Sequence, residues 1–146
     1  MRRLVMLLLA AGLVSLAGCG QPGMTPQTNV PTGITLPPLT ITRTGGIAGV
    51  TDTLQIEPDG AWTLTDRSGS ATTGHLDAQT AAAIVRILGD PGLDAEIATA
   101  SAPNQCADQF QYLVRLSGRE FSFDDCGQVG PLLRQLLDTL HTATGF

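Results

Sequence analysis

Three carboxylates are spaced so that they could support metal binding or acid–base chemistry. Asp108 lies where one predicted strand begins, and Asp124 and Asp125 follow the strand predicted to pair with it. Oxygen ligands of this kind suit Ca²⁺, and paired carboxylates can hydrolyse glycosides. The chain lacks EF-hand spacing and a glycine-rich calcium repeat, and a domain of about 107 residues leaves little room for a sugar cleft. We therefore favour neither a calcium site nor a small hydrolase, although both hypotheses stay open.

The two histidines give little support for catalysis. His75 stands just before a predicted helix cap, and His141 lies near the C-terminal end of the last predicted helix, where the helix dipole favours a cation. The sequence contains no GxSxG, HExxH or P-loop pattern. It therefore predicts a protein that is not an enzyme and that holds no cofactor and no metal.

Residues 1–18 are typical of a signal peptide. Met1-Arg2-Arg3 is positively charged, and the apolar run at 4–16 is shorter than the roughly 20 residues that span a membrane. The run ends in Leu-Ala-Gly-Cys at 16–19, which resembles a bacterial lipobox. This resemblance implies acyl chains such as palmitate on Cys19, and hence a lipid anchor at the extracytoplasmic face of the cell membrane. The alternative is an ordinary secretory signal that happens to end near a cysteine.

Cys106 and Cys126 remain once Cys19 carries lipid, and in an oxidising compartment a disulfide is the default expectation. A turn near Gly118 places both beyond the strand ends, at the open mouth of one hairpin. A bridge there closes a loop of about twenty residues, worth roughly 3 kcal/mol in the chain-entropy model. A redox or metal pair is the competing interpretation, but the chain shows neither a CxxC spacing nor a nearby histidine.

The segment RTGGIAG at 43–49 is the most distinctive in the chain. Three glycines within five residues, between two predicted strands, indicate positive φ or a close backbone approach. The GGxxG spacing without a following helix does not fit a dinucleotide-binding loop. We expect an irregular connection within a sheet.

The elements that must position these residues follow from turn signals and hydrophobic periodicity. Residues 20–39 hold five of the nine prolines and no charge, which favours an extended spacer. Alternation then predicts strands, and helical spacing after Asp77 and Pro131 predicts helices. The predicted strands cover 39–44, 47–56, 61–67, 109–116 and 120–124, with a short additional strand at 74–76. The predicted helices cover 78–88 and a leucine-rich stretch from 131, with one or two further helical turns at 93–100.

This pattern predicts an α+β fold, with an antiparallel sheet of about four to six strands and two main helices packed on one face. The corresponding organisation is a lipoprotein signal peptide at 1–18, a lipidated cysteine and proline-rich tether at 19–39, and one domain at 40–146.

The stretch ITRTGGIAGV at 41–50 resembles the opening of the emfourin-like family, small proteins named for a protealysin inhibitor. That family is similar in having a strand, a GG-x-x-G step, a second strand, and a helix that begins near a Leu-Asp element such as Leu76-Asp77. The stretch DQFQY at 108–112 matches its D-x-F/Y-x-Y strand, and the leucines at 132–140 match its terminal helix.

The resemblance implies non-covalent inhibition of thermolysin-type zinc metallopeptidases. It covers most of 40–140 in order, with sharp identity only at 43–49 and 108–112. It carries over Gly45, Gly46 and Gly49 as the motif and Arg43 as a candidate surface contact with a partner, and for all four residues the sequence favours a structural use over such a contact. The lipid anchor, the hairpin at 58–60 and the later cysteine pair depart from the family pattern.

Charge narrows the class of partner. Eight basic residues, all arginine, stand against 13 acidic ones for a net charge of −5, which excludes a general nucleic-acid binder. Loss of Arg2 and Arg3 with the signal peptide leaves six basic residues against 13 acidic ones, a net charge of −7. All of these charged residues lie in the domain at 40–146. An anionic bilayer repels such a domain, so attachment must rest on the lipid at Cys19. The expected partner is a secreted metallopeptidase or another envelope protein; the alternative is a small ligand or cell-wall component, bound without catalysis.

Overall fold

The computed structural model describes residues 33–100 and 107–146. The predicted signal peptide, the predicted lipidation site Cys19 and the cysteine Cys106 lie outside these ranges. None of the helices in the described ranges is long and apolar enough to cross a membrane. In chain order the described elements are β1 (Leu39–Gly45), β2 (Val50–Ile56), β3 (Ala61–Thr65), β4 (Ala71–His75), α1 (Ala78–Leu88), α2 (Leu93–Ala100), β5 (Phe110–Leu116), β6 (Arg119–Asp124) and α3 (Pro131–Thr144).

The strands form one antiparallel sheet in the order β4-β3-β2-β1-β5-β6. Alternation turns every second residue toward the helices, so that Ile41 lies between Leu54 and Val114 on neighbouring strands, and all three are buried. The predicted α+β fold is therefore confirmed, with six antiparallel strands and three helices in the described residues. The most deeply buried side chains are Leu36, Ile41, Leu54, Leu76, Ile84, Ile87, Leu133, Leu136, Leu140 and Val114.

The opposite face of the sheet carries mainly threonine. Thr42 and Thr53 are opposite each other on β1 and β2, with their hydroxyl oxygens 3.3 Å apart. The same face includes Thr40, Thr44, Thr51, Thr63, Thr65 and Thr73. Threonine suits a pleated surface that is only partly buried, which explains why this face forms strands without a covering helix.

Helix ends follow the predicted capping chemistry. The carboxylate of Asp77 accepts a hydrogen bond from the Thr80 amide at 2.8 Å, and Gly89 closes α1 by donating to the Val85 carbonyl at 3.0 Å. Pro131 occupies the first turn of α3. Glu96 on α2 supplies the cap that α3 lacks locally, since its carboxylate accepts from the Leu132 and Leu133 amides at 2.9 and 3.0 Å. This contact fixes α2 against α3.

Several boundaries differ from expectation, since β3 ends at Thr65 rather than at Arg67 and β4 covers Ala71–His75 rather than 74–76. The second strand begins at Val50 rather than Ile47, because residues 46–49 form a turn in which Gly49 donates to the Gly46 carbonyl. Packing also begins before residue 40, since Leu36 is buried and its amide donates to the Pro58 carbonyl at 3.0 Å. The end of the segment assigned to the tether is thus part of the core.

The sheet has two ends that differ in what they carry. At the near end the chain enters β1, close to the turns at 57–60 and 117–118, and the Ser117 amide donates to the Pro38 carbonyl. At the far end lie the loop at 46–49, the turn at 66–70 and the start of β5. Because β1 has seven residues, the two ends are about 20 Å apart.

Candidate functional site

Arg43 lies under the far end of the sheet, on the same face as Leu39 and Ile41. Its guanidinium donates to the Asp52 carboxylate at 2.6 Å across the β1–β2 pair. Only 22% of the Arg43 side chain and 18% of the Asp52 side chain are exposed. The ion pair is therefore largely desolvated. Removing either partner would leave the other charge unpaired in a partly buried site and would lower the free energy of unfolding.

Aromatic rings enclose the same guanidinium. The Cζ atom of Arg43 is 5.2 Å from the centre of the Phe110 ring and 5.1 Å from that of Phe146, within range of cation–π attraction. Tyr112 is opposite Arg43 on β5 and stacks on Phe123 at 5.1 Å. Burial raises the pKa of the Tyr112 phenol, and the neighbouring Arg43 partly opposes that shift. We call Arg43, Asp52, Phe110, Tyr112 and Phe146 the arginine cluster.

The arginine cluster gives Arg43 a structural use, which the sequence favours over a surface contact with a partner. Its place in the alternation of β1 turns the side chain toward the helices, where the ion pair and the rings hold it. An arginine in this position joins β1, β2, β5 and the C-terminal Phe146. Its role is to stabilise the far end of the sheet.

The glycines of the motif are required by the backbone, as the sequence predicts. Gly45, Gly46 and Gly49 have φ values of 109°, 67° and 60°. A Cβ atom on Gly45 would collide with the Gln109 carbonyl, and one on Gly46 would collide with the Phe110 ring. The Gly46 amide also donates to the Gln109 carbonyl at 3.1 Å, which ties the loop to the start of β5.

Ile47 stands at the tip of this loop and is 91% exposed. Beside it is an open cleft of about 490 Å³, lined by residues 48–52 and by Asp66, Arg67 and Ser68. Arg67 donates to the Gly49 carbonyl at 3.2 Å, and hydrogen bonds from Ser68 and Ser70 fix Asp66 and lower its carboxyl pKa. The far end therefore presents an apolar tip beside an open cleft that is lined by both apolar and polar residues.

Sequence reasoning missed Ile47 because its apolar side chain fitted the alternation of the second predicted strand. The usable signal is its place between Gly46 and Gly49. The positive φ values of Gly46 and Gly49 take the chain out of the hydrogen-bonded ladder of the sheet. An apolar side chain between these glycines is therefore turned away from the core.

The carboxylates considered for calcium or hydrolysis have structural contacts. Asp124 accepts from the Cys126 and Gly127 amides at 3.1 and 2.7 Å, and Asp125 accepts from the Phe110 amide at 2.9 Å. Asp108 has φ of 61° just before β5. Among the described residues, no group of three or more acidic, histidine or cysteine side chains is placed to hold a metal ion. The structure does not gather Asp108, Asp124 and Asp125 into a calcium site.

Cys126 follows β6 in the turn at the far end and is disulfide-bonded. Its predicted partner Cys106 lies outside the described residues. The register of β5 and β6, in which Gln111 is opposite Asp124, continues outward to the mouth where the sequence predicts the bridge.

A second open cleft, of about 440 Å³, lies where β4 ends and α1 begins, against α3. His75, Asp77 and Asp138 contribute its ionisable groups. The His75 Nδ1 atom is 3.0 Å from the Leu76 carbonyl oxygen. Hydrogen bonds from the Thr80 amide and hydroxyl lower the pKa of the Asp77 carboxyl, so this group is anionic through the neutral range. The cleft is thus an acidic site, remote in sequence from the glycine loop.

No family model matches the chain, and a search of the curated proteins finds no match either. The emfourin-like resemblance therefore stays a prediction carried by the order of the quoted segments. Chemically, the far end offers an exposed apolar side chain on a hydrogen-bonded loop and an adjacent cleft of mixed polarity, which together suit recognition of another surface.

Proposed function

We propose that this chain is a membrane-anchored lipoprotein whose domain binds a protein partner on the extracytoplasmic side, with Ile47 as the central contact. The observation that carries the proposal is the 91% exposure of Ile47 on a loop whose backbone is held by hydrogen bonds, from the Gly46 amide to the Gln109 carbonyl and from the Gly49 amide to the Gly46 carbonyl. Burial of such a side chain contributes about 1.5–3 kcal/mol. Because the loop is already ordered, little of this gain is lost to ordering on binding.

The position of the loop supports a role in binding away from the membrane. The chain enters the domain at the near end, whereas Ile47 lies at the far end, about 20 Å away along β1. A lipid on Cys19 leaves the far end turned outward, and the acidic domain is repelled by an anionic bilayer. The tether, the negative charge and the position of the loop therefore all support an orientation in which the loop at 46–49 faces away from the membrane.

A thermolysin-type zinc metallopeptidase is the first candidate partner. The emfourin-like resemblance supports this class, and the loop that carries the shared glycines also exposes Ile47. Inhibition is then non-covalent and needs no catalytic group on this chain.

The test is a titration of thermolysin with the purified full chain in detergent micelles. We expect inhibition at micromolar concentration, and we expect Ile47→Ser to raise the inhibition constant at least about tenfold. Val85→Ser is the matched control, because Val85 is an exposed apolar residue on α1 with 37% exposure. Failure of the wild-type chain to inhibit at micromolar concentration counts against the inhibitor version.

The anchor has its own test. Cys19→Ala should release the protein from the membrane into the soluble extracytoplasmic fraction, since one lipidated residue carries the attachment. Retention of the Cys19→Ala variant on the membrane would contradict the lipid anchor without bearing on the loop.

A small ligand or cell-wall component, bound without catalysis, is the second candidate. The threonine-rich face favours it, because a row of hydroxyls such as Thr42 and Thr53 can bind the polar groups of a glycan. Binding of soluble peptidoglycan fragments that is weakened by Thr42→Val and Thr53→Val, and unaffected by Ile47→Ser, would favour this candidate over the first.

A further inference from the structure

The two edges of the sheet differ in how they are protected. On β6, Arg119 forms an ion pair with Asp94 of α2 at 2.7 Å, and the strand also carries Glu120 and Asp124. On β4, all five residues are uncharged or histidine, four of them are exposed, and the strand has no proline. Charge, proline and covering elements are the usual means of blocking an edge, and the described part of β4 has none of them.

The hydrogen-bond pattern shows which groups of β4 face outward. The Asp66 amide donates to the Ser70 carbonyl, and the Leu76 amide donates to the Gly60 carbonyl. Because hydrogen-bonded pairs occur at every second residue of an antiparallel ladder, Thr72 and Gly74 are the residues of β4 whose main-chain groups bond to β3. The main-chain groups of Ala71, Thr73 and His75 point away from the sheet, and they have no hydrogen-bond partner among the described residues.

The acidic cleft lies directly at the end of this edge. His75 is the last residue of β4 and also lines the cleft, whose other ionisable groups are Asp77 and Asp138. Its remaining lining includes the hydroxyls of Thr80, Thr139 and Thr142, and no lysine or arginine. A strand that pairs with β4 therefore continues into a site that favours a cationic side chain.

We propose that the β4 edge and the acidic cleft together bind an extended, basic segment of a partner protein. Its main chain pairs with Ala71, Thr73 and His75 as a seventh strand, and an arginine or lysine enters the cleft at Asp77 and Asp138. Main-chain bonds supply affinity in such strand addition, and the pocket supplies selectivity. This site is separate from the Ile47 loop and does not depend on it.

A second copy of the chain is a poorer occupant than a basic segment. The domain carries a net charge of −7 after loss of the signal, so two copies repel each other. A basic segment is attracted by the same charge.

The chain contains its own reporter for this edge. Trp62, its one tryptophan, is opposite Gly74, and a Cβ atom on Gly74 would collide with the indole ring. The indole therefore lies over the edge strand. A segment that pairs with β4 should change the Trp62 fluorescence, while one bound at the far end should leave it nearly unchanged.

The probe is a short peptide of alternating threonine and valine with an arginine at each end, added to the full chain in detergent micelles. We expect Trp62 emission to shift on titration. We also expect amide exchange at Ala71, Thr73 and His75 to slow at least about tenfold at saturation. The Thr72 and Gly74 amides bond to β3 and serve as internal controls, because they should be slow with or without peptide.

Four changes make the test specific. Thr73→Pro removes an outward amide while the bonds to β3 remain, so we expect the peptide Kd to rise at least about tenfold, whereas Thr73→Val should bind as the wild type does. The peptide with glutamate in place of arginine should bind the unchanged protein at least about tenfold more weakly. The arginine peptide should bind the Asp138→Asn variant at least about tenfold more weakly than it binds the unchanged protein. A peptide methylated on alternate amides repeats the Thr73→Pro test on the unchanged protein.

Several results would overturn the proposal. They are unchanged exchange at Thr73 at saturating peptide, equal binding of the methylated peptide, or equal binding of the glutamate peptide. Concentration-dependent protection of Thr73 without peptide would instead assign the edge to a second copy. None of these outcomes alters the expected effect of Ile47→Ser on thermolysin, so failure here is distinguishable from failure of the proposed function.

Discussion

Arg43 and Ile47 are four residues apart in one glycine-rich segment, and the fold uses them in opposite ways. Arg43 is enclosed by an ion pair and two rings, whereas Ile47 is 91% exposed. The difference arises at Gly45 and Gly46, whose positive φ values end the alternation of β1. A short motif can thus contain both the residue that holds a loop in place and the residue that the loop presents.

This comparison separates stability from recognition. Changes in the arginine cluster should lower the free energy of unfolding, and changes at the loop tip should leave it nearly constant while they weaken binding.

Arg43→Met should have the largest effect on stability. It keeps the apolar stem but leaves the Asp52 carboxylate without its partner, so we expect a loss of about 2–3 kcal/mol, less than a fully buried pair would lose. Urea denaturation measures this loss. Arg115→Met is the control, because its pair with Glu120 is more than half exposed and should cost below about 1 kcal/mol. Equal losses in the two variants would contradict the role given to Arg43.

Gly45→Ala and Gly49→Ala form a matched pair within the loop. Positive φ costs an alanine about 1–2 kcal/mol at either position. Gly45→Ala adds a collision with the Gln109 carbonyl, whereas the nearest neighbour of a Cβ on Gly49 is the flexible end of Arg67 at 3.4 Å. We expect Gly45→Ala to be the more destabilising of the two by about 1 kcal/mol or more in urea denaturation. A reversed order would show that the loop is not tied to β5 as described.

Tyr112 gives the arginine cluster a dependence on pH. Burial raises the pKa of its phenol above the unfolded value, so the folded state holds this proton more tightly. The resulting stabilisation is fully present below the unfolded pKa of about 10 and is lost as the pH rises through the folded pKa. Urea denaturation from pH 8 to 11 should show a steeper alkaline loss in the wild type than in Tyr112→Phe. Parallel curves would rule out this contribution.

Ile47→Ser should have the smallest effect on stability. The side chain has almost no contact to lose, so the free energy of unfolding should stay within about 0.5 kcal/mol of the wild type. A loss comparable to that of Arg43→Met would mean that Ile47 belongs to the core and is not a contact for a partner.

Much of the fold follows from local signals in the sequence. Asp77 and Gly89 bound α1 as their capping chemistry predicts, and the turn at Gly118 sets the pairing of β5 with β6. Arg43 and Ile47 could not be assigned in the same way. A charged side chain in an alternating strand can be enclosed only if neighbouring elements supply an ion-pair partner and apolar contacts. For Arg43 these are Asp52, Phe110 and Phe146, which come from three separate parts of the chain.

The β4 edge shows the same limit in another form. The sequence predicts a strand only at 74–76, because Ala71, Thr72 and Thr73 have no apolar alternation to mark a strand. Pairing with β3 creates the strand, and its place at the edge becomes evident only from the order of the whole sheet.

The most direct test of the central claim is photo-crosslinking in intact cells, with the reactive group at position 47 or at position 55. Gln55 is also exposed, but it lies on the threonine-rich face of β2, away from the loop. We predict a defined crosslinked protein from position 47, with a yield at least about tenfold above that from position 55. Equal yields, or crosslinks only from position 55, would contradict the assignment of partner binding to the loop at 46–49.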